Sequence, residues 1–432
     1  MHTVGVAYHP HGVTAPWLAQ AAARSIPVLL GLLLLALSVS ITAIDTLLAL
    51  LIVATLLALT DPAERARYRL PLLLPMLTFA ALTLVSAAAA ADRAGAFFES
   101  KHLIGLALFF IAANGFTGGD AVRRGLRRFF VVVGAVSLYA IVQTLACETS
   151  LALPAWVGVA LRVKLEACRL HPFRAKGFFS IYMTLGGSLM IALSLGLALL
   201  VLGRGVPARS LLVSGAPAVA ALGLTYVRSA WLGLAVATGI LTVWSRRLWL
   251  VAPLALGILL VLAVPSALRT RLLSFGNPED PTVRERLYFW DAGRRMIGDA
   301  PLLGLGPGGV HRAYPAYKNP DARKPRTGHL HNNLVQIGAE HGLLGLGAWL
   351  WIWIAFFAGA GRIYAALPPA RADDRALVAG SIAAVAAFLV AGLFEYNFGD
   401  SEVIDLLWVV MGFPFACAGE GSRPAAAAPA RV

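Results

Sequence analysis

The stretch 27-PVLLGLLLLALSVSITAI-44 contains no ionisable side chain, and 249-WLVAPLALGILLVLAV-264 repeats the pattern late in the chain. Runs of this length and apolarity match the hydrocarbon thickness of a bilayer and have no place in a soluble core. The rest of the chain agrees: of 432 residues, 59% are hydrophobic and only 13% charged, with mean hydropathy +0.75. The fold class this implies is all-α, a polytopic integral membrane protein.

Cutting the chain at polar and Gly/Pro breaks predicts about twelve transmembrane helices. They fall near 26–42, 46–60, 71–91, 96–115, 129–147, 177–202, 210–227, 229–244, 248–266, 333–360, 376–395 and 402–418. The N-terminus, MHTVGVAYHPHGVTAPW, has neither a basic n-region nor a cleavage site, which predicts a retained first span and no signal peptide. The expected organisation is a cytoplasmic segment 1–25, a transmembrane domain 26–418 and a cytoplasmic tail 419–432. Within that tail, 421-GSRPAAAAPARV-432 has a disordered composition.

Orientation follows from the short loops. With both ends cytoplasmic, the inner loops hold Arg65, Arg67, Arg69, Arg123, Arg124, Arg127, Arg128, Arg246 and Arg247, the usual cytoplasmic bias. The exceptions gather on the far side in two long loops, 148–176 and 267–332. Arg162, Lys164, Arg169, Arg174 and Lys176 stand in the first; Arg269, Arg271, Arg284, Arg286 and seven further cations stand in the second. Long loops cross regardless of charge, so these cations need a reason of their own, either lipid phosphates or an anionic ligand.

Arg228 is the sharpest case. It sits in 221-ALGLTYVRSAWLGLAV-236 between two apolar runs with almost no loop. A cation placed there either snorkels to the interface or faces an aqueous cavity and pairs with something negative. Cys147 and Cys168 flank and enter the first outer loop, where an oxidising compartment would let them form a disulfide.

Two motifs carry little. GLGPGG at 304–309 fits G-x-G-x-x-G by letter, but it follows no strand and opens no βαβ unit, so a turn or a phosphate-facing backbone is the better reading. His329, His331 and His341 have no H-E-x-x-H spacing and no carboxylate on the same helical face, so no metal is expected.

The segment 326-RTGHLHNN-333 is a polar turn that opens a helix bearing Gly338, Gly342 and Gly345. These glycines form a small-residue stripe suited to close approach by a neighbouring helix. His331 is thereby placed at the outer end of a span, as either a helix-end residue meeting headgroups or a base acting on a hydroxyl.

The run 331-HNNLVQIGAEHGLLG-345 resembles the H-[N/S/Q]-x9-G-x-x-G pattern of the bacterial O-antigen ligase family, with Leu346 where threonine is usual. Upstream, 228-RSAWL-232 resembles the family's R-x3-L element. The run 284-RERLYFWDAGRRMIGDAPLLGLGPGGV-310 resembles the arginine, tryptophan and P-x-x-G-x-G series of its large periplasmic loop, and 174-RAKGFFSIYMTLGG-187 the entry to its sixth span. The resemblance implies an inverting, metal-independent glycosyltransferase of the bacterial inner membrane, with its active site facing the periplasm. Its donor would be undecaprenyl-pyrophosphate-linked O-antigen and its acceptor a sugar hydroxyl of lipid A-core, with membrane lipids around it. Neither a cofactor nor a nucleic-acid partner is expected.

By the same resemblance His331 is the general base, Arg228 the first essential arginine and Arg286 the second, with Arg284 the alternative for the last. Arg174 and Lys176 are further candidates for the pyrophosphate, and His329 and Asn332 for the acceptor side. Asp400, or less favourably Glu395, corresponds to an acid before the last span, in 394-FEYNFGDSEV-403.

Residue chemistry points the same way, since transfer from a lipid pyrophosphate needs guanidinium forks for the leaving diphosphate and a base for the acceptor hydroxyl. His331, Arg228 and Arg286 are therefore expected to line one cavity under the 267–332 loop, without direct contact of all three. O-antigen polymerases and protein O-oligosaccharyltransferases share these features. The latter usually extend further at the C-terminus, which favours the ligase here. A lipid-linked sugar flippase would instead place ionisable groups near the midplane and often shows a repeat.

Overall fold

The computed structural model describes residues 16–148, 173–263, 266–274, 277 and 279–419. Among these residues there is no strand. The helices in the first half are α1 (Pro16–Ala36), α2 (Ile41–Ala58), α3 (Pro62–Arg67), α4 (Leu73–Ala89), α5 (Arg93–Glu99), α6 (Leu106–Gly115) and α7 (Gly119–Glu148). A 3-10 turn, Ser100–Gly105, joins α5 to α6. After the undescribed segment 149–172 come α8 (Tyr182–Leu202), α9 (Ala208–Leu224), α10 (Arg228–Ser245) and α11 (Val251–Ala263). Three shorter helices follow: α12 (Ala267–Leu273), α13 (Pro281–Asp299) and α14 (Gly309–Tyr317). The chain closes with α15 (Asn333–Ala366), α16 (Ala372–Ala391) and α17 (Ser401–Ala418).

Each of the twelve predicted segments holds a helix, but fewer than twelve are long and apolar enough to cross a membrane unaided. Among the described residues eight qualify, or nine if the bent pair α11 and α12 forms one span. Helices α4 and α9 have 17 residues each, about 25 Å at 1.5 Å per residue, shorter than the ~30 Å hydrocarbon core. Helix α1 starts at Pro16, inside the segment assigned to the N-terminal arm. Residues 420–432, the expected disordered tail, and Cys168, the expected partner of Cys147, lie outside the described residues.

The chain is a multi-pass membrane protein, and burial sorts its helices into centre and periphery. In α16 and α17, 78% of the apolar window is buried, against 28% in α1. Helix α16 packs chiefly on α8 and α10, and α17 on α6. Its sequence, ADDRALVAGSIAAVAAFLVA, is largely small residues, which allow neighbours to approach on all sides. Peripheral helices turn Val28, Leu50, Val53, Val131 and Leu212 outward, a surface suited to lipid. At one end of the bundle Arg123 pairs with Asp374 at 2.7 Å and Arg371 with Asp374 at 2.6 Å, while Asp373 accepts backbone N–H groups of Arg204 and Gly205.

At the opposite end the segment 267–332 folds into a cap. Asp280 caps α13 by accepting from the N–H groups of Thr282 and Val283, with Pro281 at the first helical position. Phe289, Ala292 and Met296 of α13 meet Val310 and Tyr314 of α14 in a separate small core that includes Leu330 and Ala339. Buried Glu285 accepts from the backbone N–H groups of Arg323 and Lys324, both at 3.0 Å, and ties down the strap leading to His331.

The glycine stripe is used differently from the expectation. Gly342 adopts φ 67°, breaking α15, and a Cβ there would collide with the backbone of Leu302 and Leu303. The freed backbone groups are bridged by the loop: Leu305 N–H donates to Ala339 C=O, Gly306 N–H to Glu340 C=O and Leu343 N–H to Pro301 C=O. Gly338 does face a helix, α13, through Ile297, whereas Gly345 faces His341 of its own helix. The 304–309 glycines form a turn with positive φ at Gly304, Gly306 and Gly308.

Candidate active site

The sequence HNN makes the entry to α15 rigid. Asn332 caps the helix through its side-chain oxygen on Val335 N–H, and its amide donates to Leu393 C=O at 2.9 Å. The Asn333 amide donates to Asn397 at 2.7 Å, and its backbone N–H to Gly392 C=O at 2.7 Å. Gln336 accepts from Leu330 N–H. These bonds lash the helix start to the turn 392–397. They hold His331 at φ 51°, a left-handed conformation that costs a non-glycine residue energy and is sustained here by its surroundings.

In that position the His331 ring stacks near Phe289, 5.6 Å between centroids, and its Nδ1 lies 2.8 Å from Glu395 Oε1. Burial raises the Glu395 pKa, but the His331 hydrogen bond and the charges of His331, His329 and Arg286 outweigh it and hold the carboxyl at about 2. Glu395 is thus ionised, Nδ1–H of His331 is the donor, and Nε2 is the nitrogen left to take a proton. The second carboxylate oxygen of Glu395 lies 3.5 Å from the Arg286 guanidinium.

Arg228 is 6% exposed and points into the cap. It donates to Ser274 C=O and Oγ, both at 2.8 Å, and to Thr282 Oγ1 at 2.9 Å, and stands 3.8 Å from Asp280. Of the two readings of this arginine, pairing with an acid is the one the structure displays. Burial raises Asp280, but hydrogen bonds from Thr282 and Ser274 and the Arg228 charge bring it down to about 2. Arg286 and Arg174 both act electrostatically on Arg228. Arg271 of α12 joins them: burial first, then Arg228 and Arg174, push its guanidinium down to about 10. These guanidinium groups therefore stand near enough to act on one another, with burial the larger effect at Arg271.

The structure joins His331 and Arg286 through Glu395, and it sets Arg286 and Arg174 near enough to Arg228 to act on it electrostatically. It separates Arg284, which is exposed and lies beside Glu279, Tyr288 and Asp321 on another face of α13. Lys176 is half-buried two residues beyond Arg174, whose guanidinium lies 4.5 Å from the Tyr182 ring centre. Asn332 commits both ends of its amide to the fold. Asp400 does not meet the histidines; it accepts from Thr184 at 2.6 Å, and Glu395, the less favoured of the two acids, occupies the centre.

His329 packs edge-on against His331, with ring centroids 4.2 Å apart. Burial, followed by the His331 charge, pushes its imidazole down to about 4. A cavity of about 440 Å³ opens beside it, lined by His329 and Glu395 but not by His331, Arg228 or Arg286. This cavity meets the His331–Arg286 pair only at Glu395. Donor atoms of His329, His331 and Glu395 lie within 4.8 Å of one another, a spacing that could hold a metal ion. Glu395 is already shared by Arg286 and His331, and Lys324 and Arg286 add positive potential at His329, so the electrostatics oppose a dication.

Glu395 was hard to find because its partners lie 64 and 109 residues away. The available signal was that 376–399 carries no other charged residue.

A family model described as O-antigen ligase matches residues 213–350. No curated protein matches the chain. The matched segment begins before Arg228, includes Arg271, Arg286 and the whole cap, and ends beyond His331 and the Gly342 break. The matched stretch is about a third of the chain, and with the helical bundle and the cap it supports an assignment to the O-antigen ligase/polymerase superfamily.

Proposed function

We propose that the protein is an O-antigen ligase of lipopolysaccharide biosynthesis. It transfers O-antigen polysaccharide from undecaprenyl pyrophosphate to a sugar hydroxyl of lipid A-core at the periplasmic face of the inner membrane. The observation that carries this reading is the chain His331–Glu395–Arg286 set beside Arg228, Arg174 and Arg271.

His331 Nε2 takes the proton of the acceptor hydroxyl while Glu395 holds Nδ1–H and stabilises the imidazolium that forms. The acceptor oxygen attacks the anomeric carbon of the donor. The bond from that carbon to the diphosphate oxygen breaks, and its electron pair leaves with undecaprenyl pyrophosphate. A single displacement inverts the anomeric configuration. Arg228 and Arg286, with Arg174 and Arg271 behind them, meet the charge that grows on the leaving diphosphate. The bond between the sugar and the diphosphate is itself the activated one, the P–O–P link staying intact in the leaving group, so no nucleotide is needed. Glu395 keeps Arg286 from drifting before the donor arrives.

Deletion of the gene tests the assignment within the superfamily. Loss of a ligase leaves long O-antigen chains on the lipid carrier and none on lipid A-core. Accumulation of single repeat units on lipid A-core instead would make the protein a polymerase.

A further inference from the structure

The cavity beyond His329 has no part in holding the diphosphate, and its walls differ from the arginine flank. Glu99 from α5, Asp400 and Glu402 from the start of α17, and Glu395 supply carboxylates. Phe79, Phe398 and Trp408 supply an aromatic side. Thr83 of α4 lines the same space; it is 3% exposed, and its Oγ1 has no hydrogen-bond partner. A buried hydroxyl without a partner is costly and points to a polar group that is absent when the cavity is empty.

We propose that this cavity binds the acceptor sugar as an uncharged polyol, with its reactive hydroxyl directed toward the histidine pair. The inference rests on the ligase reading above and adds to it a place for the second substrate. Carboxylates accept from sugar hydroxyls, Thr83 supplies one more hydroxyl, and the aromatic rings suit the C–H face of a pyranose. A volume of about 440 Å³ is within the usual range for a small-molecule site. The carboxylates of Glu99 and Glu402 repel a diphosphate, just as the arginines on the other side of Glu395 attract one. The two substrates are thereby sorted by charge onto opposite sides of the group that joins them. A dication bridging the carboxylates is the competing occupant, but it would leave the aromatic wall unused.

The test uses the full chain in lipid nanodiscs, with lipid-free neutral core oligosaccharide and inorganic pyrophosphate as probes and EDTA present. Wild type should bind the oligosaccharide by saturation-transfer NMR, and pyrophosphate should not displace it. Thr83→Val and Glu402→Gln, which keep side-chain volume, should each weaken binding about tenfold and raise the KM for acceptor, with the KM for donor unchanged. Unaltered melting temperatures would show that both variants fold. Three results would each overturn the proposal: no oligosaccharide binding by wild type, displacement by pyrophosphate, or wild-type affinity in both variants. Oligosaccharide binding without transfer from any polyprenyl-diphosphate donor would instead refute the ligase reading and keep the sugar site.

Discussion

The two flanks of Glu395 are built from different parts of the chain and carry opposite charge. On one side Arg228, Arg271 and Arg286 come from a stretch of about sixty residues, joined by Arg174, with Asp280 as the nearby acid. On the other, Glu99, Asp400 and Glu402 come from the two ends of the fold and surround a cavity. A cationic surface can be assembled locally because repulsion between arginines is relieved by the capping Asp280 and by backbone and hydroxyl acceptors of the same cap. A cavity needs walls on several sides, and here distant segments supply them. The arginines are thus gathered mostly from one stretch of sequence and the cavity walls from distant ones.

The largest expected effect is at the join. His331→Ala should reduce transfer by about 10²–10⁴-fold, the range for loss of a general base, while leaving donor binding intact. Purified protein with labelled lipid-linked polysaccharide gives both readouts, and near-normal transfer would remove His331 from its role. On the cationic flank, Arg228→Ala and Arg286→Ala should each cost about 10²–10³-fold, as expected for removing a charge partner of the leaving group. Lysine at either site should recover only part of this, because an ammonium cannot make a bidentate contact with phosphate oxygens. Full activity of both lysine variants would mean that net positive potential is enough.

A smaller effect concerns stability. Burial favours the neutral imidazole of His329, so its pKa falls from 6.5 to about 4 on folding. Between those values the unfolded chain holds the extra proton. The contribution of His329 is therefore present above pH 6.5 and lost as pH falls through about 4. Burial first, with help from Glu402, raises Asp400 from 3.8 to about 7, which tilts stability the other way across an overlapping range. The informative quantity is the difference between wild type and His329→Gln. The variant should lose less melting temperature than wild type on going from pH 6.5 to 4, by an amount on the order of a few degrees. Parallel curves would show that His329 is not desolvated in solution.

The smallest effect is at Arg284, which is exposed beside Glu279, Tyr288 and Asp321. Arg284→Ala should change transfer by no more than about twofold, the usual scale for an exposed side chain. A loss as large as that of Arg286→Ala would place the wrong arginine on the cationic flank.

Some of the molecule was open to reading from residues alone. Long apolar runs without charge fix helices in a bilayer because the hydrocarbon leaves backbone groups no other partners, and each predicted segment does hold a helix. Arg228 could be marked because a cation at the edge of an apolar run demands an explanation. His331 followed from a local pattern, and its neighbours Asn332 and Asn333 fix its backbone over a few residues. The span count was less legible, since α4 and α9 are apolar but only 17 residues long.

Tertiary structure alone decided how these pieces meet. That Glu395, and not Asp400, would hold His331 and Arg286 depends on the turn after α16 docking on the start of α15, a contact across 64 residues. The role of Gly342 is likewise invisible in its helix, because it exists to admit the backbone of Leu302 and Leu303. Periodicity and composition describe how a residue sits on its own element. Which carboxylate faces which imidazole is set by packing between elements, and that information is spread over the whole chain.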